Sequence, residues 1–325
     1  MEHQRAQTEE GRRALLNRLT SELLGGKSAS EERWEEIRKR TAENARLILQ
    51  VPPKLDKLFE EMFTQDGAQF MAIFIYLLVF VLLVCGLVFS LTRFNFWRLP
   101  RPPFLPRSLM FHATDLAPWP GMRAGLNVNP ELLEFMLGYL KRKGYVFVTA
   151  DELLTFRDPV RHVCLTFDDG YEDNYTYLFP LLKKYQTKVT IFAAQRSVFD
   201  GKPMLTPAQI KEMSDSGLVE FGSHTLNHIK LTSVSEEVAD REIREGKAYI
   251  ESITGKPCTS FCYPFGQFTD RDIALLKQHG IKCSFTCEKG IFRITDPYRI
   301  HRLSAHGRMR HWQFPLVLSR GKYKV

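Results

Sequence analysis

Two adjacent carboxylates, Asp168 and Asp169, end the run His162-Val-Cys-Leu-Thr-Phe-Asp-Asp-Gly-Tyr171. The run opens apolar, as a buried strand does, and Gly170 marks a turn. Carboxylates at the mouth of a sheet can divide two tasks, one holding a metal and the other taking a proton from water. Further along, His224 and His228 stand four apart, directly after a second strand-like run over 218–222. On a single helical turn that spacing puts both imidazoles on one side, as a metal needs. With Asp169 they form a set of two nitrogens and one oxygen that leaves positions open for water. Zinc or another divalent first-row metal suits such a set.

These donors meet only if their strands end on one face of a sheet, so the flanking elements must supply that frame. From residue 107 onward, apolar runs alternate with amphipathic stretches. The strand-like runs cover 108–112, with His112 at the end, then 145–149, 162–169, 188–194, 218–222, 259–263 and 282–286. Helices are expected from the Asn129-Pro130 cap to 143, from the Asp-Asp-Gly turn to 184, and from the Thr206-Pro207 cap to 216. Two more are expected over 235–253 and 269–279. This order predicts a parallel α/β fold, barrel-like or open.

Three segments carry a resemblance to a known family. Thr166-Phe-Asp-Asp-Gly170 and Ser223-His-Thr-Leu-Asn-His228 resemble the first two motifs of the polysaccharide deacetylases (carbohydrate esterase family 4). Phe261-Cys-Tyr-Pro-Phe-Gly266 is similar to the third. The resemblance spans about residues 107–306. Leu109-Met-Phe-His112 and residues 127–154 more closely resemble the permuted branch that deacetylates poly-N-acetylglucosamine. It implies a distorted (β/α) barrel and a metal-dependent hydrolase that removes acetyl groups from N-acetylated amino sugars. The substrate is then a cell-surface polysaccharide or a lipid-linked glycan precursor. Asp168 matches the family's general base, and Asp169, His224 and His228 match its metal ligands. His112 matches the histidine that protonates the leaving amine, with His306 and His301 as rivals. The metal is expected to be Zn2+, with Co2+, Ni2+ or Fe2+ as alternatives, and the backbone N–H near Phe265 is expected to help hold the oxyanion. Two positions depart from the pattern. Cys262 stands where the third motif often has the arginine that positions the base, and Phe265 replaces its usual tyrosine. Arg302 is a candidate to supply the missing guanidinium.

The rest of the chain bears on location. Residues 70–91 contain no charge, which is enough length for a transmembrane helix. The expected division is a helical segment at 1–69, a membrane helix at 70–92, a proline-rich linker at 93–106 and a deacetylase domain at 107–325. The 325 residues carry a net charge of +8, and from residue 70 onward basic residues outnumber acidic ones by 33 to 24. Arg93, Arg98, Arg101 and Arg107, interleaved with Phe94, Phe96 and Trp97, read as a collar for anionic head groups. The apolar and basic segment 311–320 extends that reading to a domain lying on the membrane, which favours a lipid-linked substrate. No nucleic-acid-binding signature is present. The positive-inside count puts the C-terminal domain in the cytoplasm, whereas the charged first 69 residues oppose their own translocation. The expected location is therefore a cell membrane, single-pass, on either side. Of six cysteines, Cys258, Cys262, Cys283 and Cys287 form two C-x3-C pairs. Cys262 and Cys283 sit in strand-like apolar runs, where buried free thiols are expected rather than a zinc site. Rival readings are an inactive glycan-binding or scaffold protein of the same fold, and a protein whose residues 1–69 recruit a partner. The complete Asp168, Asp169, His224 and His228 set opposes the first.

Overall fold

Strand β3 (His162–Asp169) is buried along its full length because it has neighbours on both edges and side chains packed on both faces. The computed structural model describes residues 36, 39–40, 65–93, 99–155, 161–196, 199 and 201–321. Around β3, the parallel strands β1 (Arg107–Phe111), β4 (Val189–Ala193), β5 (Val219–Ser223), β6 (Ser260–Cys262), β7 (Cys283–Lys289) and β8 (Ile300–Ser304) follow the order β1-β8-β7-β6-β5-β4-β3. β1 then pairs with β3 in register Arg107↔Val163 to Phe111↔Phe167, which closes seven strands into a barrel. The two-residue β2 (Val146–Phe147) pairs with the start of β3, so the strand expected over 145–149 is mostly loop.

Alternation along the strands divides the core. Val163, Leu165 and Phe167 face outward with Leu109, Phe111 and Ile191 into a cluster completed by the helices α2 (Pro130–Arg142), α4 (Phe179–Tyr185) and α5 (Pro207–Asp215). Cys164, Phe192, Cys262 and Phe285 form a smaller cluster. The sequence-predicted caps form as expected. Asn129 accepts from the Leu132 N–H at 2.8 Å, and Thr206 exchanges hydrogen bonds with Gln209. Three elements were not read from the sequence: α3 (Ala150–Thr155), β8 and α8 (Gln313–Arg320). The helices α6 (Glu236–Thr254) and α7 (Asp270–Gln278) match expectation within a few residues.

Helix α1 (Gln65–Arg93) contains 24 residues, Gln69–Thr92, that are long and apolar enough to cross a membrane. At 1.5 Å per residue they span roughly 36 Å, against about 30 Å of hydrocarbon. None of that stretch is buried, and Phe70, Tyr76 and Leu83 stand exposed. Most of the helical segment expected at 1–69 lies outside the described residues, as do the side chains of Arg93, Phe94, Phe96, Trp97 and Arg98.

Two features assigned to the membrane belong to the barrel instead. Arg107 is buried, and its guanidinium donates to the carbonyls of Leu318 (3.1 Å), Pro102 (2.8 Å), Arg101 (3.1 Å) and Leu105. Four acceptors around one planar fork explain why arginine stands here. In the C-terminal segment, Phe314, Val317 and Leu318 are buried on α8, so its apolar side packs on the barrel. Arg107→Met leaves those carbonyls unpartnered and lowers stability by about 3 kcal/mol. Urea unfolding of the detergent-solubilised chain measures this; loss of binding to anionic vesicles with stability unchanged would return Arg107 to the collar.

Candidate active site

The carboxylates leave β3 by a departure from strand geometry. Strict alternation sends consecutive side chains to opposite faces, so Asp168 points into the barrel and Asp169 would point out. Asp169 instead adopts φ 75°, and Gly170 follows at φ 81°. A Cβ at Gly170 would lie 2.8 Å from the Cβ of Ala193, so only glycine fits beside β4. Both carboxylates are then buried at the C-terminal mouth of the barrel.

His224 and His228 follow β5, also at the mouth. The helical turn expected for them is absent. The segment is a loop in which Thr225 (φ 62°) and His228 (φ 54°) take left-handed conformations. Helix α6 holds this loop in place. Glu242 accepts from the Asn227 N–H (2.9 Å) and side-chain amide (2.7 Å), while a Cβ at Gly246 would lie 2.6 Å from the Thr225 carbonyl carbon. His224 Nε2 lies 3.5 Å and His228 Nε2 3.1 Å from Asp169 Oδ1. His224 Nδ1 meets the Cys262 carbonyl at 2.6 Å, which fixes the tautomer and leaves Nε2 as the donor atom.

Asp169, His224 and His228 each offer one ligand atom, all within 4.8 Å of one another. Three convergent donors, Asp169 and His224 buried and His228 half-buried, with the His224 imidazole oriented by its hydrogen bond, fit a divalent metal. Asp168, His224 and Cys262 form a second such group, which shares its histidine with the first. Among the described residues no such group contains two cysteines of the C-x3-C pairs; Cys262 and Cys283 are buried free thiols, as expected, and so is Cys258, while Cys287 is half-buried.

Asp168 sits in a buried fork. Arg302 donates from one guanidinium nitrogen to Oδ1 at 2.6 Å and from the other to Oδ2 at 2.8 Å. The same guanidinium reaches the Thr166 hydroxyl at 2.9 Å, the Thr286 carbonyl at 2.9 Å and Cys262 Sγ at 3.1 Å. Burial raises the Asp168 carboxyl, and the charge and hydrogen bonds of Arg302 outweigh it, so the group lies below its ordinary value. Burial likewise raises Asp169, and hydrogen bonds from His224 and His228 bring it well below that value. A guanidinium thus reaches Asp168 from Arg302, beside Cys262, which carries none. The strand of Arg302, β8, escaped the sequence reading, because Ile300-His-Arg-Leu-Ser304 carries three polar side chains and only two apolar ones.

His112 lies directly after β1 with Nε2 3.9 Å from Asp168 Oδ2. Of its rivals, His301 alternates with Arg302 on β8 and faces Phe292 (4.9 Å between rings) and Glu288 (3.4 Å). The His306 ring packs over Gly125. Phe265 takes φ 60° in the turn Pro264–Gly266 and sets its ring edge-on to His228 at 4.9 Å. Asp169, Thr225, His228 and Phe265 are four of the five non-glycine residues with positive φ among those described, so backbone strain gathers here.

The chain is similar to several known proteins. The polysaccharide deacetylase family pattern matches residues 157–284. The Bacillus subtilis protein YxkH is 30% identical over 209 residues, covering 62% of this chain and 72% of YxkH. The poly-beta-1,6-N-acetyl-D-glucosamine N-deacetylase of Staphylococcus epidermidis is 29% identical over 194 residues, covering 54% and 67% respectively. Among solved structures, the Streptococcus pyogenes deacetylase PplD, in complex with acetate, superposes with a TM-score of 0.60 at 27% identity. That match covers 67% of this chain and 99% of PplD. A closed parallel barrel with its carboxylates and histidines gathered at one mouth, matched over two thirds of the chain, makes this protein a member of the polysaccharide deacetylase family.

Proposed function

We propose that the chain is a metal-dependent deacetylase of N-acetylated amino sugars in a cell-surface polysaccharide, tethered to the cell membrane by α1. The carrying observation is the division of labour at the barrel mouth: one carboxylate among imidazoles, the other in an arginine fork. Poly-N-acetylglucosamine deacetylases among the relatives, and acetate bound to PplD, support the substrate class. Of the features that favoured a lipid-linked substrate, Arg107 of the collar and the apolar side of the 311–320 segment are taken up by the barrel core.

Asp169, His224 and His228 would hold the metal, with zinc the ion best suited to the set. When bound, such an ion lowers the pKa of a coordinated water and polarises the acyl oxygen. Asp168 takes the proton of the attacking water. Arg302 keeps that carboxylate ionised in a buried site and fixes both of its oxygens. The backbone N–H near Phe265, in a turn against His228, helps hold the oxyanion. His112 then protonates the nitrogen as the C–N bond breaks, because an amine is a poor leaving group unless protonated. Acid and base thus face one reacting carbon from two strand ends.

Zinc-loaded protein releases free amine from N-acetylglucosamine oligomers, and Asp168→Asn lowers kcat by about 10²–10⁴ with bound zinc retained. Unchanged turnover in Asp168→Asn would sink the base assignment. His228→Ala lowers bound zinc in equilibrium dialysis, and a chelator abolishes activity in the native chain. Arg302→Met keeps the zinc but cuts kcat by roughly 10–100-fold, since Asp168 loses its orientation. Native kcat in that variant would remove Arg302 from the mechanism.

A further inference from the structure

Beyond the reacting groups, a buried ion pair lies beside the mouth with no assigned task. Lys202 Nζ is 2.6 Å from Asp173 Oδ2, and both side chains are almost fully buried. The lysine also packs over the rings of Tyr171 (4.8 Å) and Trp119 (5.3 Å). Apolar side chains of similar volume stabilise a core as well or better, so stability alone gives weak grounds for a buried lysine and aspartate. What the pair does provide is fixed direction.

That direction leads to His112. Asp173 Oδ1 accepts from the Thr114 N–H at 2.7 Å and from the Asn174 side-chain amide at 2.9 Å. The same amide donates to the His112 carbonyl at 3.1 Å. The backbone is therefore pinned at His112 and again at Thr114. Between them, Ala113 is held from the other side, through its N–H to the Leu126 carbonyl (3.1 Å) and its carbonyl to the Val128 N–H (3.0 Å). Asp173 and Asn174 follow the Asp169-Gly170 turn by four and five residues, and Asn174 opens a π-helical turn, Asn174–Leu178. Such turns are uncommon and gather at functional sites.

We infer that Asp173, Asn174 and Lys202 form a positioning network that sets the backbone of His112 relative to Asp168. It ties the segment carrying the acid to the turn carrying the base and a metal donor, so the distance between them is built in rather than left to a loop. This inference rests on the acid role proposed for His112. None of the three residues touches the substrate in this reading; they act through His112.

Two substrates separate positioning of an acid from general upkeep of the fold. An N-acetylglucosamine oligomer loses an amine that must be protonated, whereas 4-nitrophenyl acetate loses a phenolate that needs no proton. With the full zinc-loaded chain, Asn174→Ala and Lys202→Met are expected to lower kcat for the oligomer by roughly 10–100-fold. KM should change less than about threefold, and ester turnover stay within about twofold of native. His112→Ala serves as the reference and should lose far more on the amide than on the ester. Equal losses on both substrates in Asn174→Ala and Lys202→Met, with His112→Ala still selective, would overturn the network alone. Equal losses in His112→Ala would overturn the acid role and the network together. Thermal unfolding and bound zinc per chain show whether each variant is folded; if one fails to fold, the other decides.

Discussion

The interior of the barrel depends on one buried ion pair. A carboxylate enclosed there would otherwise take up a proton, and a protonated Asp168 cannot serve as a base. The Arg302 fork prevents this by meeting both carboxylate oxygens while its remaining N–H groups find Thr166 and Thr286. A pair buried this deeply stabilises only if the other hydrogen bonds are made as well, and here they are. Cys262 takes part through its size. A larger side chain on β6 would stand where the guanidinium now lies 3.1 Å from the sulfur.

Around this pair the backbone gives up regularity. Four non-glycine residues in left-handed conformations lie within the two histidine and carboxylate turns and the Phe265 turn. Such conformations persist only when surrounding contacts over-determine them. Glu242 and Gly246 do so from α6, and Gly170 does so against β4. The helix layer thus has a second task beyond burying apolar surface, which is to hold donor atoms where relaxed strands would not put them.

Much of this was legible in the sequence, for physical reasons. Buried parallel strands read as apolar runs, and caps such as Asn129 and Thr206 mark helix starts, so the alternation from 107 onward could be placed. Asp169, His224 and His228 came together because strand ends in such folds share a face. Arg302 was nameable only as a candidate, since no local pattern links it to a carboxylate 134 residues away. β8 stayed hidden because an inward-facing arginine breaks the apolar pattern by which strands are recognised. Arg107 misled for the converse reason. Beside an apolar helix a basic residue reads as a surface charge, and only tertiary structure shows four carbonyls converging on it.

The closing of the barrel through β1 and β3 has a consequence for how the site is made. In chain order, Asp169, His224 and His228 all precede the strand that carries Arg302. The group that neutralises Asp168 is therefore the last part of the mouth to be synthesised, on the strand that fits between β7 and β1.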